Sequence, residues 1–420
     1  MATVGKMMNR AITACRACNA QLGAVVADLG QQPPSNAYLA SVGDIGNERR
    51  YPLRVRLCSA CTLVQLDYVV APEELFRDYS YFSSYSDEWM SHARRYSDMA
   101  IERFGLGRSS LVIELASNDG YLLRNFLPHG IPVLGIDPSD TVAEAAAKLG
   151  VPTLVEFFGA AVAKRLADTG RTADLIIANN VLAHVPDVND FVEGIAILLK
   201  RGGVATLEFP HLLKLVLHRE FDTIYHEHYS YFSLLAVEKL FQRHGLAVFD
   251  VDELPTHGGS LRVYATRTRD REAGDTARLL KVRNDELIAG LGSTDAYTRF
   301  AKAVEECRIE FREFVEGAKA SGKTVAAYGA AAKGNTLLNY CGATVDEIRF
   351  VADRNPNKQS KLLPGTHIPI VSPATLLDAK PDYVLILPWN LKTEVMGQLQ
   401  KIRDWGGRFV TAVPRLEVAE

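Results

Sequence analysis

The sequence lacks several features that would place it in large classes of protein. No apolar run approaches the roughly 20 residues that a membrane-spanning helix needs. No apolar segment follows the N-terminal residues, so a secretion signal is not expected either. The net charge of −3 at pH 7 gives no basic excess of the kind that binds nucleic acid. We therefore expect a cytoplasmic protein that binds neither membranes nor nucleic acid.

Cysteine is also scarce, with six residues in a chain of 420. In the cytoplasm, cysteines favour metal binding or free thiols over disulfides. Four of them form two Cys-x-x-Cys pairs, Cys15 with Cys18 and Cys58 with Cys61. Two such pairs can supply the four thiolates of a tetrahedral Zn²⁺ site. The loop between Cys18 and Cys58 is longer than the roughly 15–20 residues that usually separate the two pairs of such a site. Because no histidine joins them, we expect a closed, structural zinc site; four buried cysteines without metal are the alternative.

The segment Leu111–Gly120, LVIELASNDG, reads as a buried strand followed by a turn, and an apolar helix is predicted to begin at Tyr121. A second apolar run, Val133–Ile136, ends at Asp137. This order is typical of a doubly wound α/β sheet, in which ligands bind beyond the carboxyl ends of the strands. An acid about 20 residues after the first turn usually holds the ribose hydroxyls of a nucleoside.

The turn after the first strand contains little glycine. The phosphate-binding pattern G-x-G-x-x-G is replaced by a single Gly120, with acids at Glu114 and Asp119. These carboxylates would repel a pyrophosphate and attract a cation. This favours S-adenosylmethionine (SAM), which carries a sulfonium and an ammonium group, over a nicotinamide dinucleotide. A plain α/β sheet in which Glu114 only caps a turn is the alternative.

Further strands are predicted from later apolar runs. Ala173–Ala178 leads into two asparagines, Val204–Phe209 follows a glycine turn, and Val248–Val251 and Leu261–Tyr264 form a closing pair. Residues at the strand ends should line the ligand site. The predicted cofactor-binding residues are Glu114, Ala116, Asn118, Asp119, Gly120, Asp137, Pro138, Asn179 and Asn180.

Two segments are rich in aromatic and titratable residues. Tyr225–Tyr231, YHEHYSY, has two imidazoles, one carboxylate and three phenols, and its spacing does not match a helical zinc protease motif. If this segment is extended, His226 and His228 share a face. We interpret it as a base with its neighbours in a catalytic site, with a polar surface loop as the alternative. Tyr79–Tyr85, YSYFSSY, is either a substrate lid or a segment that packs domains together.

The last third of the chain repeats the strand–loop–helix order. Long connecting helices are predicted between residues 266 and 320. Thr324–Tyr328 is then a strand, followed by small residues and Lys333, and Ile348–Ala352 ends at Asp353. This predicts a second Rossmann-like unit that could hold a second ligand. Lys333 suits an anionic group at a helix N-terminus, or is simply a surface lysine.

Taken together, these motifs resemble the sugar C-methyltransferases that act on nucleotide-linked 4-keto-deoxysugars. The resemblance rests on both Cys-x-x-Cys pairs, the tyrosine-rich segment, E-x-x-S-N-D-G, A-N-N-V-L-A-H-V-P-D, Y-H-E-H, H-G-G-S-L-R-V-Y and G-A-A-A-K-G-N-T-L-L-N. It implies an α/β fold of three units: a zinc-binding domain over residues 1–75, a class I SAM-binding methyltransferase domain over residues 76–267, and a helical connector with a Rossmann-like domain over residues 268–420.

The resemblance also implies the chemistry. A base removes the acidic C3 proton of a 4-keto sugar, linked in our expectation to dTDP, and the enolate is methylated. The implied catalytic residues are Tyr79, His184, Tyr225, Glu227 and His228, with His228 as the base. The predicted substrate-binding residues are Tyr81, Ser83, Ser84, His226, Lys333 and Asn335. We expect a monomer. An O- or N-methyltransferase and a non-catalytic nucleotide-binding module are the alternatives.

Overall fold

The computed structural model describes residues 8–76, 84, 87–271 and 274–419. Its strands are β1 (Arg10–Ala11), β2 (Val25–Gln32), β3 (Tyr51–Leu57), β4 (Val64–Leu66), β5 (Tyr68–Val69), β6 (Val112–Leu115), β7 (Val133–Ile136), β8 (Thr153–Leu154), β9 (Ala173–Asn179), β10 (Leu199–Pro210), β11 (Ser230–Tyr231), β12 (Leu246–Leu254), β13 (Ser260–Arg267), β14 (Val325–Tyr328), β15 (Ile348–Ala352), β16 (Ile370–Val371), β17 (Tyr383–Ile386), β18 (Arg408–Thr411) and β19 (Glu417–Ala419). Its α-helices are α1 (Pro72–Phe76), α2 (Asp87–Phe104), α3 (Asp140–Lys148), α4 (Ala160–Asp168), α5 (Val188–Leu198), α6 (Leu212–Leu217), α7 (Leu234–Arg243), α8 (Ala277–Ala289), α9 (Thr294–Ala320), α10 (Ala332–Tyr340), α11 (Pro373–Ala379) and α12 (Lys392–Gln398). None of these helices is both long and apolar enough to cross a bilayer.

The middle of the chain forms a seven-stranded sheet in the order β12-β13-β10-β9-β6-β7-β8. Strands β6 to β10 run parallel, whereas β13 is antiparallel to both β10 and β12. This is the class I methyltransferase fold that the resemblance implies. Because β6 lies between β7 and β9, their carboxyl ends meet at one edge, where ligands of such sheets bind.

One predicted helix of this region is wrong. In place of a helix beginning at Tyr121, the chain makes two short 3₁₀ turns, Leu123–Asn125 and Leu127–His129. Pro128 cannot donate a backbone hydrogen bond. Gly130 then adopts a left-handed conformation, with φ of 68°, which ends the second turn.

The N-terminal region forms an antiparallel sheet in the order β11-β4-β3-β2. Side chains alternate along β3, where Tyr51, Leu53, Val55 and Leu57 are buried. The strand β11 comes from the middle of the chain and directly follows the segment Tyr225–Tyr229. The predicted catalytic segment is therefore hydrogen-bonded to the zinc-binding region.

The C-terminal region forms a second mostly parallel sheet, in the order β16-β15-β14-β17-β18-β19. Strand β14 lies between β15 and β17, as in a Rossmann-like unit. The long helix α9 buries Phe300, Val304, Phe311 and Val315 along one face. Those side chains belong to an apolar cluster that includes residues of β2, β3 and β14. The N-terminal and C-terminal regions therefore share a core.

Candidate active site

The four predicted zinc ligands lie together. The sulfur atoms of Cys15, Cys18, Cys58 and Cys61 are all within 4.8 Å of one another. Sγ of Cys15 is 3.5 Å from that of Cys61, and Sγ of Cys18 is 3.4 Å from that of Cys58. A tetrahedral site with Zn–S bonds of about 2.3 Å requires sulfur separations of about 3.8 Å. The cluster therefore has the composition and size of a structural zinc site.

Unusual backbone conformations occur where β6 and β9 end. Ala116, Asn118 and Asn180 have positive φ angles, at 55°, 50° and 53°. Each such conformation costs about 1 kcal/mol or more for a residue with a side chain, and such residues cluster at functional sites. All three were predicted to bind the cofactor, and the fold brings them to the same edge of the sheet.

Three carboxylates surround this edge. Glu114 is 1% exposed, and burial, together with the charges of Asp137 and Asp119, raises its pKa well above the usual range. The two oxygens of Asp137 accept hydrogen bonds from the backbone N–H groups of Asn118 and Ser139, each at 3.0 Å. Asp137 therefore orders the loop after β6. A bound cation would favour ionised Glu114, because it would offset the cost of burying that charge.

Buried amides complete this part of the site. The side-chain nitrogen and oxygen atoms of Asn179 and Asn180 are buried and have no hydrogen-bond partner among the described residues. The same holds for Oε2 of Glu114 and Oδ1 of Asp119. Unsatisfied buried polar atoms are costly, so a cluster of them at a sheet edge points to a polar ligand.

The segment Tyr225–Tyr229 is a turn rather than a strand, because the N–H of His228 donates to the carbonyl of Tyr225 at 2.9 Å. His226 and His228 would share a face only in an extended segment, and the segment does not have that conformation. The ring of His226 packs against Tyr51, with centroids 5.9 Å apart. This position gives no support to substrate binding by His226.

His228 is held on both ring nitrogens. Nδ1 lies 3.0 Å from the carbonyl oxygen of Thr223, and Nε2 lies 2.9 Å from the hydroxyl of Tyr225. Because a carbonyl can only accept, Nδ1 carries the proton and Nε2 keeps its lone pair. Burial, and next the neighbouring His184, lower the pKa of His228 well below its usual value.

His184 lies directly against His228, with ring centroids 4.7 Å apart. Its Nδ1 lies 2.7 Å from the carbonyl oxygen of Glu227, and the N–H of Tyr229 donates to the carbonyl of Ala183 at 2.8 Å. Burial lowers the pKa of His184 to about 4. His184 comes four residues after Asn180, so the turn after β9 joins the two groups of predicted residues.

The side chain of Glu227 contacts a different residue from those that His226 and His228 contact. Its Oε1 accepts from the side-chain amide of Asn36 at 3.1 Å, and burial raises its pKa. Asn36 belongs to the zinc-binding region. Of the tyrosine-rich segment, Tyr79, Tyr81 and Ser83 lie outside the described residues. Ser84 donates its backbone N–H to Asp119 at 3.2 Å.

Two predicted residues come from the C-terminal region. Lys333 is half-buried, and its Nζ donates to Oδ1 of Asn390 at 2.9 Å. Asn335 is fully buried, and both of its amide atoms lack a partner among the described residues. A hydrogen bond connects this region to the residue before the catalytic segment, because the hydroxyl of Thr336 donates to the carbonyl of Ile224 at 3.0 Å.

A further polar cluster was not predicted from the sequence. Glu208, near the end of β10, accepts from Arg262 at 2.6 Å and from Thr256 at 3.1 Å, and lies 3.0 Å from Nε2 of His92. Although burial opposes ionisation, His92 and Arg262 together lower the pKa of Glu208 to about 2. The sequence does contain a signal for Glu208: it is an acid at the end of a buried apolar strand, as Glu114 is.

Three family models cover most of the chain. They are described as a zinc binding domain at residues 15–76, a methyltransferase domain at residues 89–251, and a C-methyltransferase C-terminal domain at residues 255–414. The C-methyltransferase NovU of Streptomyces niveus is 37% identical over 410 residues, which covers 97% of each chain. The chain belongs to the C-methyltransferase family.

Other similarities are more limited. A ubiquinone biosynthesis O-methyltransferase of Rhizobium etli is 28% identical over an alignment of 148 residues, and the match covers 29% of this C-methyltransferase and 58% of that protein. Among solved structures, the magnesium protoporphyrin IX methyltransferase of Synechocystis with bound SAM is 18% identical, with a TM-score of 0.32. The match covers 43% of this chain and 82% of that one.

The enzyme is a SAM-dependent methyltransferase with a zinc-binding region. The residues at the strand ends fit SAM, because carboxylates and unpartnered amides suit its cationic groups and its many hydrogen-bonding atoms. Glu114, Asp119, Asp137, Asn179 and Asn180 would hold it. The four cysteines fit zinc by ligand number and sulfur spacing.

Proposed function

We propose that this C-methyltransferase methylates C3 of a nucleotide-linked 4-keto-deoxysugar, with dTDP as the expected nucleotide, through an enolate. The sugar and the position of methylation are inferred from the resemblance of the motifs. The base is inferred from the observation that carries the proposal: the Nε2 lone pair of His228 is positioned by Thr223 and lies beside the hydroxyl of Tyr225.

His228 is the base that removes the C3 proton. Because its pKa is lowered, the imidazole is uncharged near neutral pH, and Nε2 can accept a proton. In this step the hydroxyl of Tyr225, which lies 2.9 Å from Nε2, turns its proton to the oxygen at C4 as negative charge develops there, and this leaves the Nε2 lone pair for the C3 proton. Tyr79 stays a second candidate for this donor, and Glu227 is placed to orient a neighbouring group.

SAM, when bound, supplies an electrophilic methyl group. The carboxylates at the ends of β6 and β7 bind its cationic and ribose groups, and the turn from Asn180 to His184 sets the spacing between the two sites. The main contribution of the protein to methyl transfer is this alignment. Side chains from all three regions meet around Ile224–His228 within a single chain, so we propose that the protein is a monomer. We place the boundaries of its three domains near residues 75 and 267.

Replacement of the base provides the first test. We expect His228→Asn to lower turnover by about 10²-fold or more, because general-base catalysis contributes that much. SAM affinity, measured by calorimetry, should stay unchanged. Exchange of the C3 proton with solvent deuterium, followed by NMR, should be lost together with turnover.

The matched control is His226→Asn, which removes the imidazole two residues away. This variant should keep C3 exchange if it folds like the wild type by circular dichroism. Normal exchange in His228→Asn would remove His228 from its role. A new O–CH₃ signal in the product, in place of C–CH₃, would show an O-methyltransferase instead.

A further inference from the structure

The turn between β12 and β13 carries a histidine that the proposed reaction does not use. His257 adopts a left-handed conformation, with φ of 56°, and the two residues that follow it are glycines with positive φ. Such a conformation costs about 1 kcal/mol or more for a residue with a side chain, whereas glycine adopts it freely. A third glycine would therefore suit the turn better, and the turn alone does not account for the imidazole.

The imidazole of His257 is open to solvent although protein surrounds it. The residue is exposed, and none of the hydrogen bonds between described residues involves its ring nitrogens. Burial among the surrounding residues nevertheless lowers its pKa to about 4. The ring therefore lies in a recess rather than on a convex surface. Near neutral pH it is uncharged, and it offers one N–H donor and one lone pair.

The end of β10 forms one side of this recess. Thr256 donates its hydroxyl to Oε1 of Glu208 at 3.1 Å and so holds the turn against the strand. The carbonyl of Glu208 accepts from the backbone N–H of Asn180 at 2.7 Å. Asn180 directly follows β9 and is one of the predicted cofactor-binding residues. The turn with His257 therefore lies beside the sheet edge that was predicted to bind SAM.

An aromatic side chain connects His257 to the other loop of that edge. The rings of His257 and Trp89 have centroids 5.3 Å apart. The ring of Trp89 in turn lies 6.2 Å from that of Tyr121, which directly follows Gly120 in the loop after β6. His257 is thus close to the loops after both β6 and β9.

The next residue of the turn packs against the C-terminal region. A Cβ added to Gly258 would lie 2.6 Å from the ring of Trp389. Nε1 of Trp389 donates to Oδ2 of Asp222 at 2.7 Å, and the residue after Asp222 is Thr223, whose carbonyl holds Nδ1 of His228. The turn is therefore fixed between the cofactor edge and the backbone that orients the base.

We propose that His257 is a substrate-contacting residue, whose imidazole hydrogen-bonds to a hydroxyl group of the substrate's sugar. This inference rests on the proposed function, in which the sugar lies between SAM and His228. Because the turn is fixed between those two sites, its imidazole meets the sugar and not the nucleotide. A hydroxyl group can both donate and accept, so it matches the two nitrogens of an uncharged imidazole.

Binding of two probes separates the sugar from the nucleotide. The probes are dTDP and a dTDP-linked 4-keto-6-deoxyhexose, measured by calorimetry with S-adenosylhomocysteine present so that no turnover occurs. We expect His257→Gly, which keeps the backbone conformation and removes the ring, to weaken binding of the dTDP-sugar by about 3- to 10-fold, the loss expected for one hydrogen bond. Binding of dTDP alone should stay unchanged.

A second variant and a control exclude an effect of the backbone. His257→Asn also tolerates the left-handed conformation without adding a third glycine, and its shorter side chain should give the same selective loss. The matched control is His129→Asn. His129 is also an exposed histidine, but it precedes β7 and lies at the opposite end of the parallel strands. This variant should bind both probes as the wild type does.

Three outcomes would overturn the inference. Unchanged binding of the dTDP-sugar in both His257 variants would show that the sugar does not contact this residue. An equal loss for dTDP and for the dTDP-sugar would show that the turn contacts the nucleotide or only keeps the site in order. A wild type that does not bind the dTDP-sugar would overturn the proposed function, and the inference with it.

Discussion

Three consecutive titratable residues, His226, Glu227 and His228, have three different sets of neighbours. His226 packs against the ring of Tyr51, Glu227 accepts from Asn36, and His228 lies between Thr223 and Tyr225. A strand would have placed the two histidines on one face. A turn directs them apart, so only one of them meets the predicted acid/base group His184.

The burial of His226 predicts a pH-dependent cost to stability. Burial lowers its pKa to about 4, whereas the pKa of an unfolded histidine is about 6.5. Between these values the unfolded chain binds more protons, so stability falls as pH falls. Between pH 7.5 and 5.0, the wild type should lose up to about 2 kcal/mol relative to His226→Gln, since 1.5 pKa units correspond to about that much.

Urea denaturation of both proteins at the two pH values measures this difference. The comparison is between variants at each pH, so the carboxyl groups that also titrate cancel. A difference in the free energy of unfolding that does not change with pH would show that His226 is protonated equally well in the folded state.

At the scale of elements, the turn that holds the first Cys-x-x-Cys pair contacts the catalytic segment directly. Arg16, between Cys15 and Cys18, donates to the carbonyl of Tyr229 at 2.7 Å and to the carbonyl of Leu66 at 2.8 Å. Gln65 of β4 donates to Sγ of Cys15 at 3.1 Å. The turn that holds two zinc ligands therefore also holds the residue that follows His228.

We expect Arg16→Met to lower kcat while zinc stays bound. The substitution removes two charge-assisted hydrogen bonds to carbonyl groups, each worth about 1.5–3 kcal/mol, and a longer one to Gln65. It leaves the carbonyl of Tyr229 without this donor. The measurements are kcat, zinc content by metal analysis, and the free energy of unfolding. Arg16→Lys should recover part of kcat, because an ammonium can reach one of the carbonyls.

The control for this experiment is Cys58→Ser, which should lose zinc and soluble folding. A wild-type kcat in Arg16→Met would show that the turn with Cys15 and Cys18 stabilises the N-terminal region without positioning the catalytic segment.

Elements with a strong local signal were predicted well. Strands β6, β7 and β9 coincide with the predicted apolar runs, and α9 follows its helical spacing of apolar residues. Strand β10 contains the predicted run Val204–Phe209 but begins earlier, at Leu199, so the two glycines predicted as a turn lie within it. The helix expected at Tyr121 failed because its start was apolar while its continuation contained Pro128 and Gly130. The apolar side chains favoured a helix there, but the missing N–H of Pro128 and the left-handed conformation of Gly130 do not allow a regular one.

At the scale of the whole molecule, the two Rossmann-like units share a loop that an aspartate orders, but the loop has different neighbours in each unit. Asp353 receives N–H groups from Ala330 and Asn355, both at 2.7 Å, just as Asp137 orders its own loop. The carbonyl of Ala330, however, accepts from Tyr38 at 2.7 Å and from Lys358 at 2.8 Å. The protein's own side chains cover the end of this second sheet.

We therefore predict one SAM molecule per chain. Among the described residues, buried side-chain atoms without partners cluster in the loops that follow β6 and β9 of the middle sheet. In the C-terminal sheet, Tyr38 and Lys358 occupy the carbonyl of the corresponding loop, and Asn335 lies further along, in α10. Isothermal titration with SAM should give a stoichiometry of about one, and Asn179→Ala should weaken that single event. A second binding event that persists in Asn179→Ala would contradict this reading of the C-terminal unit.

Local chemistry was legible in the order of residues alone. Two cysteine pairs and acids at the ends of apolar runs were enough to predict zinc and SAM, because each signal spans only a few residues. The cluster of titratable residues predicts the region of the base, and this stays a prediction. The sequence could not show that Asn36 meets Glu227, that Lys333 lies over the ring of Trp389, or that His226 turns away from His228. Those contacts join residues far apart in the chain, or depend on a turn that only the packing of three regions holds in place.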